Sequence, residues 1–106
     1  MKLSTLIMFV PLALGQQLDV TLMDENTQTT QRFVGDGGRC YFIGEDWGRR
    51  ATHISEANIG VCVRFFKQQN CSPGQPVWQP ACGPITVTVP DEFKGQLGAF
   101  TIWENN

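Results

Sequence analysis

The sequence predicts a small all-β domain, on three observations. Apolar and polar residues alternate in short runs: Leu18 to Leu22, Val61 to Phe66, Ile85 to Val89, and Ala99 to Trp103. Gly, Pro, Asn and Asp clusters separate these runs at short intervals. No segment after residue 15 keeps a helical period for three turns.

The first 15 residues read as a signal peptide. Met1-Lys2 is a positive start, Leu3 to Leu14 an almost unbroken apolar run, and Ala13-Leu14-Gly15 a small-residue cleavage site. A run of that length is too short to cross a bilayer core of about 30 Å. Residues 16–106 then form one domain, destined for the extracellular space. The chain holds 8 Lys and Arg against 10 Asp and Glu, a formal net charge of -2, and loses Lys2 with the signal. The charges alternate in sign, so no basic stripe marks a nucleic-acid surface, and no later segment reads as a membrane span. A domain this small needs a staple, and the four cysteines supply it as two disulfides.

In chain order, Leu18-Asp19-Val20-Thr21-Leu22 is a half-buried strand ended by the turn formers Asp24-Glu25-Asn26. Gln31 to Val34 is a second strand, stopped by Gly35-Asp36-Gly37-Gly38, and Arg39 to Ile43 a third. Gly44 to Gly48 reads as a loop carrying Trp47. Residues 50–55 fit a strand or an irregular crossing, and Ser55 to Asn58 also fits one helical turn. Val61 to Phe66 is the clearest strand, with Val61, Val63 and Phe65 on one face and Cys62, Arg64 and Phe66 on the other. Lys67 to Asn70 turns it. Four of the six prolines fall in residues 72–84, which limits that segment to loop or edge strand. Ile85 to Val89 and Ala99 to Trp103 complete the set. The pairing expected for the cysteines is Cys62–Cys71, closing the corner after the clearest strand, and Cys40–Cys82, tying the two halves together.

A weak duplication accompanies the strands. Leu22 to Asn26 stands 44 residues before Phe66 to Asn70, while Asp46-Trp47 and Ile54-Ser55 stand 46 before Glu92-Phe93 and Phe100-Thr101. Two units of about four strands suit a β-sandwich of two Greek keys. Here the chain resembles the βγ-crystallin-like superfamily, in particular its small secreted fungal and toxin members. The family motif is an aromatic, a polar corner, a bulky residue and Gly, followed about thirty residues on by Ser or Thr. Phe66, residues 67–70, Cys71, Gly74 and Thr101 match it with one extra residue before the glycine. In the first unit Leu22 stands for the aromatic and Thr30 for the glycine, and Ser55 is the hydroxyl. The resemblance implies a hydroxyl that holds the corner. It also implies calcium ligands just before it, but Ala51-Thr52 and Leu97-Gly98 occupy those places, so neither calcium nor any other metal or cofactor is expected.

Candidate chemistry is sparse. His53 is the single histidine, and Glu45, Asp46 or Glu56 would have to orient it in a small hydrolase. Arg49-Arg50 would suit a phosphate. The acid pairs Glu45-Asp46 and Asp91-Glu92 would suit a glycosidase, although acids after Gly and Pro commonly just face water. Asn70-Cys71-Ser72 is a glycosylation sequon blunted by its cysteine and by Pro73. The cysteine spacing is not that of a zinc site. Trp78, flanked by Gln75 and Gln79, would make a stacking platform for a sugar or protein partner, unless it covers the core. The expectation is therefore a secreted binding protein without enzymatic activity, effector-like or antimicrobial, acting on an extracellular protein or a cell-wall polysaccharide. A carbohydrate-binding module is the first alternative and a secreted hydrolase the second.

Overall fold

The computed structural model describes residues 18–105, so the expected signal peptide lies outside the described residues. Eight strands form two antiparallel four-stranded sheets. They are β1 (Leu18–Asp24), β2 (Thr29–Gly35), β3 (Cys40–Phe42), β4 (His53–Glu56), β5 (Val61–Phe66), β6 (Val77–Trp78), β7 (Ile85–Thr88) and β8 (Ala99–Glu104). One short helix, α1 (Glu45–Arg50), lies between β3 and β4. The first sheet has the order β2-β1-β4-β7 and the second β3-β8-β5-β6. Each sheet thus takes three strands from one half of the chain and its remaining edge strand from the other half. Among the described residues no helix is long and apolar enough to cross a membrane.

The period of two decides what is buried. Leu18, Val20 and Leu22 of β1, Ile54 of β4, Val61, Val63 and Phe65 of β5, and Phe100 and Ile102 of β8 meet between the sheets. Phe100 is the centre. Phe33 packs edge-on to it with ring centroids 5.3 Å apart, Tyr41 stacks at 5.4 Å and Phe65 tilts at 5.9 Å. Aromatic pairs in these geometries add about 0.5–1.5 kcal/mol each beyond area burial. Ile43, Ala51, Val89, Phe93 and Leu97 close the ends of the core from the connecting segments.

The two halves superpose in hydrogen bonding. Leu22 pairs with Ile54 and Ile54 with Val87; correspondingly Phe65 pairs with Phe100 and Phe100 with Tyr41. Thr52 N–H donates to Met23 O at 2.8 Å and Val89 N–H to Thr52 O at 2.9 Å. Their counterparts are Gly98 N–H to Phe66 O at 2.8 Å and Ile43 N–H to Gly98 O at 3.0 Å. The counterpart of Phe66 is therefore Met23, and that of Phe65 is Leu22. Over the first strands the repeat offset is 43 residues, one less than the turn-forming Asn residues suggest; inward-facing residues set it. The left-handed position of the first corner is Gln28, at φ 59°, rather than Thr30, which lies inside β2. Gly74 takes that conformation in the second corner, at φ 91°, where a side chain would be strained. At Gly98 a Cβ would collide with the carbonyls of Lys67 and Gln68, so the second corner can cross β8 only over glycine.

Two expectations are corrected here. Residues 45–50 form a helix rather than a loop. It is too short for a hydrophobic period, and its signature is charge: Glu45 and Asp46 in the first turn, Arg49 and Arg50 in the last, pairing four residues apart. The disulfides are Cys40–Cys71 and Cys62–Cys82, not Cys62–Cys71 and Cys40–Cys82. Cys62 is the second residue of β5 and Cys71 lies beyond its far end, so the length of that strand holds them apart at about 3.3 Å per residue. The chain after β6 instead continues back along β5, where Gly83 N–H donates to Val61 O at 2.8 Å and brings Cys82 to Cys62. The corner carrying Cys71 reaches β3 of the other half.

Peptide mapping without reduction is expected to recover Cys40 joined to Cys71 and Cys62 to Cys82. With separations of 31 and 20 residues, replacing either pair by serine should cost about 4 and about 3 kcal/mol respectively in the chain-entropy description. A recovered Cys62–Cys71 peptide would contradict the topology of the second sheet.

Candidate functional site

The outward face of the first sheet carries the exposed chemistry. Alternation along β1 and β4 turns Met23 and His53 outward opposite each other, while Leu22 and Ile54 turn in. His53 also faces Thr88 of β7. Met23 and His53, with Glu25 and Gln28 of the first corner and Thr29 and Thr30 of β2, line an open groove of about 330 Å³.

Thr52 fixes the imidazole. Its Oγ1 donates to Met23 O at 3.2 Å and accepts the Glu25 N–H at 3.0 Å, while His53 Nδ1 lies 2.9 Å away. A hydroxyl has one proton to give, and Met23 O and His53 Nδ1 both lie within reach of it. Nε2 has no partner among the described residues. One threonine thus holds the corner and orients the ring. It stands where the resemblance placed a calcium ligand, and its hydroxyl is fully engaged.

None of the three carboxylates expected beside His53 reaches it. Glu56 is three residues along β4 and points to the opposite face of the sheet. Glu45 pairs with Arg49 at 3.9 Å and Asp46 with Arg50 at 3.0 Å. Glu25 shares the groove, yet no hydrogen bond joins it to the ring. Of the second acid pair, Asp91 meets Lys94 at 3.7 Å. Arg49 and Arg50 do not act together. Arg50 lies over the Trp47 ring at 4.3 Å, and its nitrogens reach buried Asp24, Asp46, Thr27 and Thr29. The Arg50 guanidinium holds the Asp24 carboxyl below the usual carboxylate range against the opposing effect of burial, with Thr27 and the Asn26 amide assisting. This cluster closes the first corner, and Arg49 takes no part in it.

The expected platform is dispersed. Trp78 lies opposite Phe65 in the strand register, so it points inward; it stacks on Phe65 at 5.2 Å and tilts against Phe93 at 6.4 Å, half-buried. Gln79 accepts from Arg64 Nε at 2.9 Å on the outward face. Gln75 accepts from Gln68 N–H and donates to the carbonyls of Asn70 and Ser72, which holds the second corner in shape. The three residues share no surface. Among the described residues no three His, Cys, Asp or Glu side chains converge as metal ligands.

Glu56 was legible only as a partner for His53, and its position is the least expected of any polar group. It faces inward from β4, is 1% exposed, and neither carboxyl oxygen has a hydrogen-bond partner among the described residues. Gly83 presses on it; a Cβ there would lie 2.9 Å from Glu56 Cγ. Burial, and then the negative charge of Asp19, push its pKa from 4.5 up to about 7. Comparison with known proteins finds no family model, no curated protein and no solved structure that matches this chain.

The raised carboxyl pKa has a definite sign. The unfolded chain releases the proton near 4.5 while the folded chain holds it to about 7, so stability falls as pH rises through that window. The loss should total about 3 kcal/mol, complete above the folded value. Urea unfolding at about pH 5 and about pH 8 should show this drop in the native protein and remove it in Glu56→Gln. Parallel profiles for the two proteins would contradict the burial of an unpartnered acid.

Proposed function

We propose that the protein is a secreted, non-enzymatic binding domain of βγ-crystallin-like double Greek-key shape. It acts at a host or microbial surface, in the manner of an effector or an antimicrobial protein. The shape is supported by the exchange of edge strands between the sheets, by the matched backbone bonds about Thr52 and Gly98, and by left-handed residues at equivalent corners. Two disulfides are compatible with life outside the cell.

The observation that carries binding over catalysis is the setting of His53. Its ring is oriented by a threonine, no carboxylate among the described residues is bonded to it, and Glu45 and Asp46 are held by arginines while Glu25 shares the groove without bonding the ring. A general base needs a group that takes up or stabilises the proton. An imidazole nitrogen with no partner among the described residues, beside a thioether floor, hydroxyls and an amide, is better suited to holding a hydroxyl-rich or peptide surface. The groove, not Trp78, is the place where such a partner would rest.

Binding of the purified protein to microbial cells and cell-wall polysaccharides tests the reading. Saturable binding is expected, with Thr30→Arg, which fills the groove from β2, abolishing it and the ligand recovered intact. Polymer shortened on incubation, with the shortening lost in His53→Ala, would overturn the binding reading in favour of a hydrolase.

A further inference from the structure

Backbone pairing leaves four strand edges, and three of them are blunted. β6 is two residues long between Pro76 and Pro80. β3 is three residues long and carries the Cys40–Cys71 bond. β7 is four residues long, with Pro84 before it and Pro90 soon after. Short strands, prolines and covering loops are the means by which sheets avoid pairing with other chains. β2 has none of them. It runs seven residues without proline, its residues are mostly exposed, and among the described residues only β1 pairs with it. One side-chain bond reaches its main chain, Gln31 Nε2 to the Arg32 carbonyl, and at 3.3 Å it is long enough to be given up.

We propose that β2 is a self-association edge, pairing antiparallel with β2 of a second copy of this chain across a two-fold axis at Arg32. The register that uses all seven residues places Thr30 opposite Val34 of the copy and Gln31 opposite Phe33. Val34 is one of the few large apolar side chains left exposed, at 43%, and a β-branched neighbour across the strand is the contact it lacks. Arg32 would meet its own copy on the axis, where like charges ordinarily repel. Each Arg32, however, is already bonded through Nε and Nη2 to Asp19 of its own β1, so the axis brings together two neutralised pairs. A second copy also explains why the other edges are blunted. Joining β2 to β2 makes one eight-stranded sheet that ends at β7 on both sides, and those short proline-flanked strands stop further growth. The contact closes at two.

Sedimentation of the full chain over a dilution series, with the Val34→Lys and Val34→Thr variants beside it, tests the proposal. The native protein should approach twice the chain mass at high concentration and dissociate on dilution. Val34→Thr should keep that behaviour. Val34→Lys, which replaces the apolar contact with a charged side chain on the strand edge, should sediment as a monomer with an unchanged melting profile at low concentration. Hydrogen exchange should show β2 amides gaining protection with concentration in the native protein alone. A native protein monomeric into the millimolar range, or a dimer that Val34→Lys leaves intact, would overturn the proposal.

Discussion

Everything in this domain depends on burying the inner faces of β1 and β4 against those of β5 and β8, with Phe100 at the centre. Neither sheet reaches its four strands without borrowing an edge strand from the other half. Tyr41 of β3 then stacks on Phe100, while Val87 of β7 lies beside Ile54. The backbone crossings at Thr52 and Gly98 carry the same exchange, each receiving one strand end and passing on the next. A domain of this size has little apolar area to spare. Sharing strands lets one core serve both sheets, and Cys40–Cys71 adds a covalent tie across the halves.

The same constraint shapes the chemistry. Strands that must face inward at every second residue fix what is left outside, so the first sheet presents Met23, His53 and Thr88 in one row. The acids are placed by structural need: Asp24 and Asp46 hold Arg50, and Arg50 holds the first corner to the helix. Glu56 is the exception. It sits inward at the end of β4 with no cation to meet it among the described residues, and burial raises its pKa to about 7. Binding through backbone edges and a shallow polar groove asks nothing of these acids.

Much of the fold could be read from the residues. β5, β7 and β8 follow from clean alternation, and the inward set Val61, Val63 and Phe65 is as the period requires. The helix escaped because six residues cannot show a hydrophobic period, although its opposed charges marked it. The cysteine pairing escaped because closeness along the chain favoured Cys71 for Cys62, whereas the length of β5 separates them. Trp78 could be read as a platform, because its neighbours are polar, or as a cover for the core, and the second reading holds. Its direction is set by the residue opposite, Phe65, and cross-strand register is invisible to a single strand's sequence. For the same reason the groove escaped: it joins a corner and two strands that are not neighbours in the chain. The Thr52 hydroxyl, which orients His53, had a place in the sequence but no visible partner.

Native-state hydrogen exchange measures the shared core most directly. If one core serves both sheets, central amides of β1 and β4 and those of β5 and β8 should exchange with the same opening free energy, equal to that of global unfolding. Two distinct values, with one sheet opening while the other stays protected, would contradict the account.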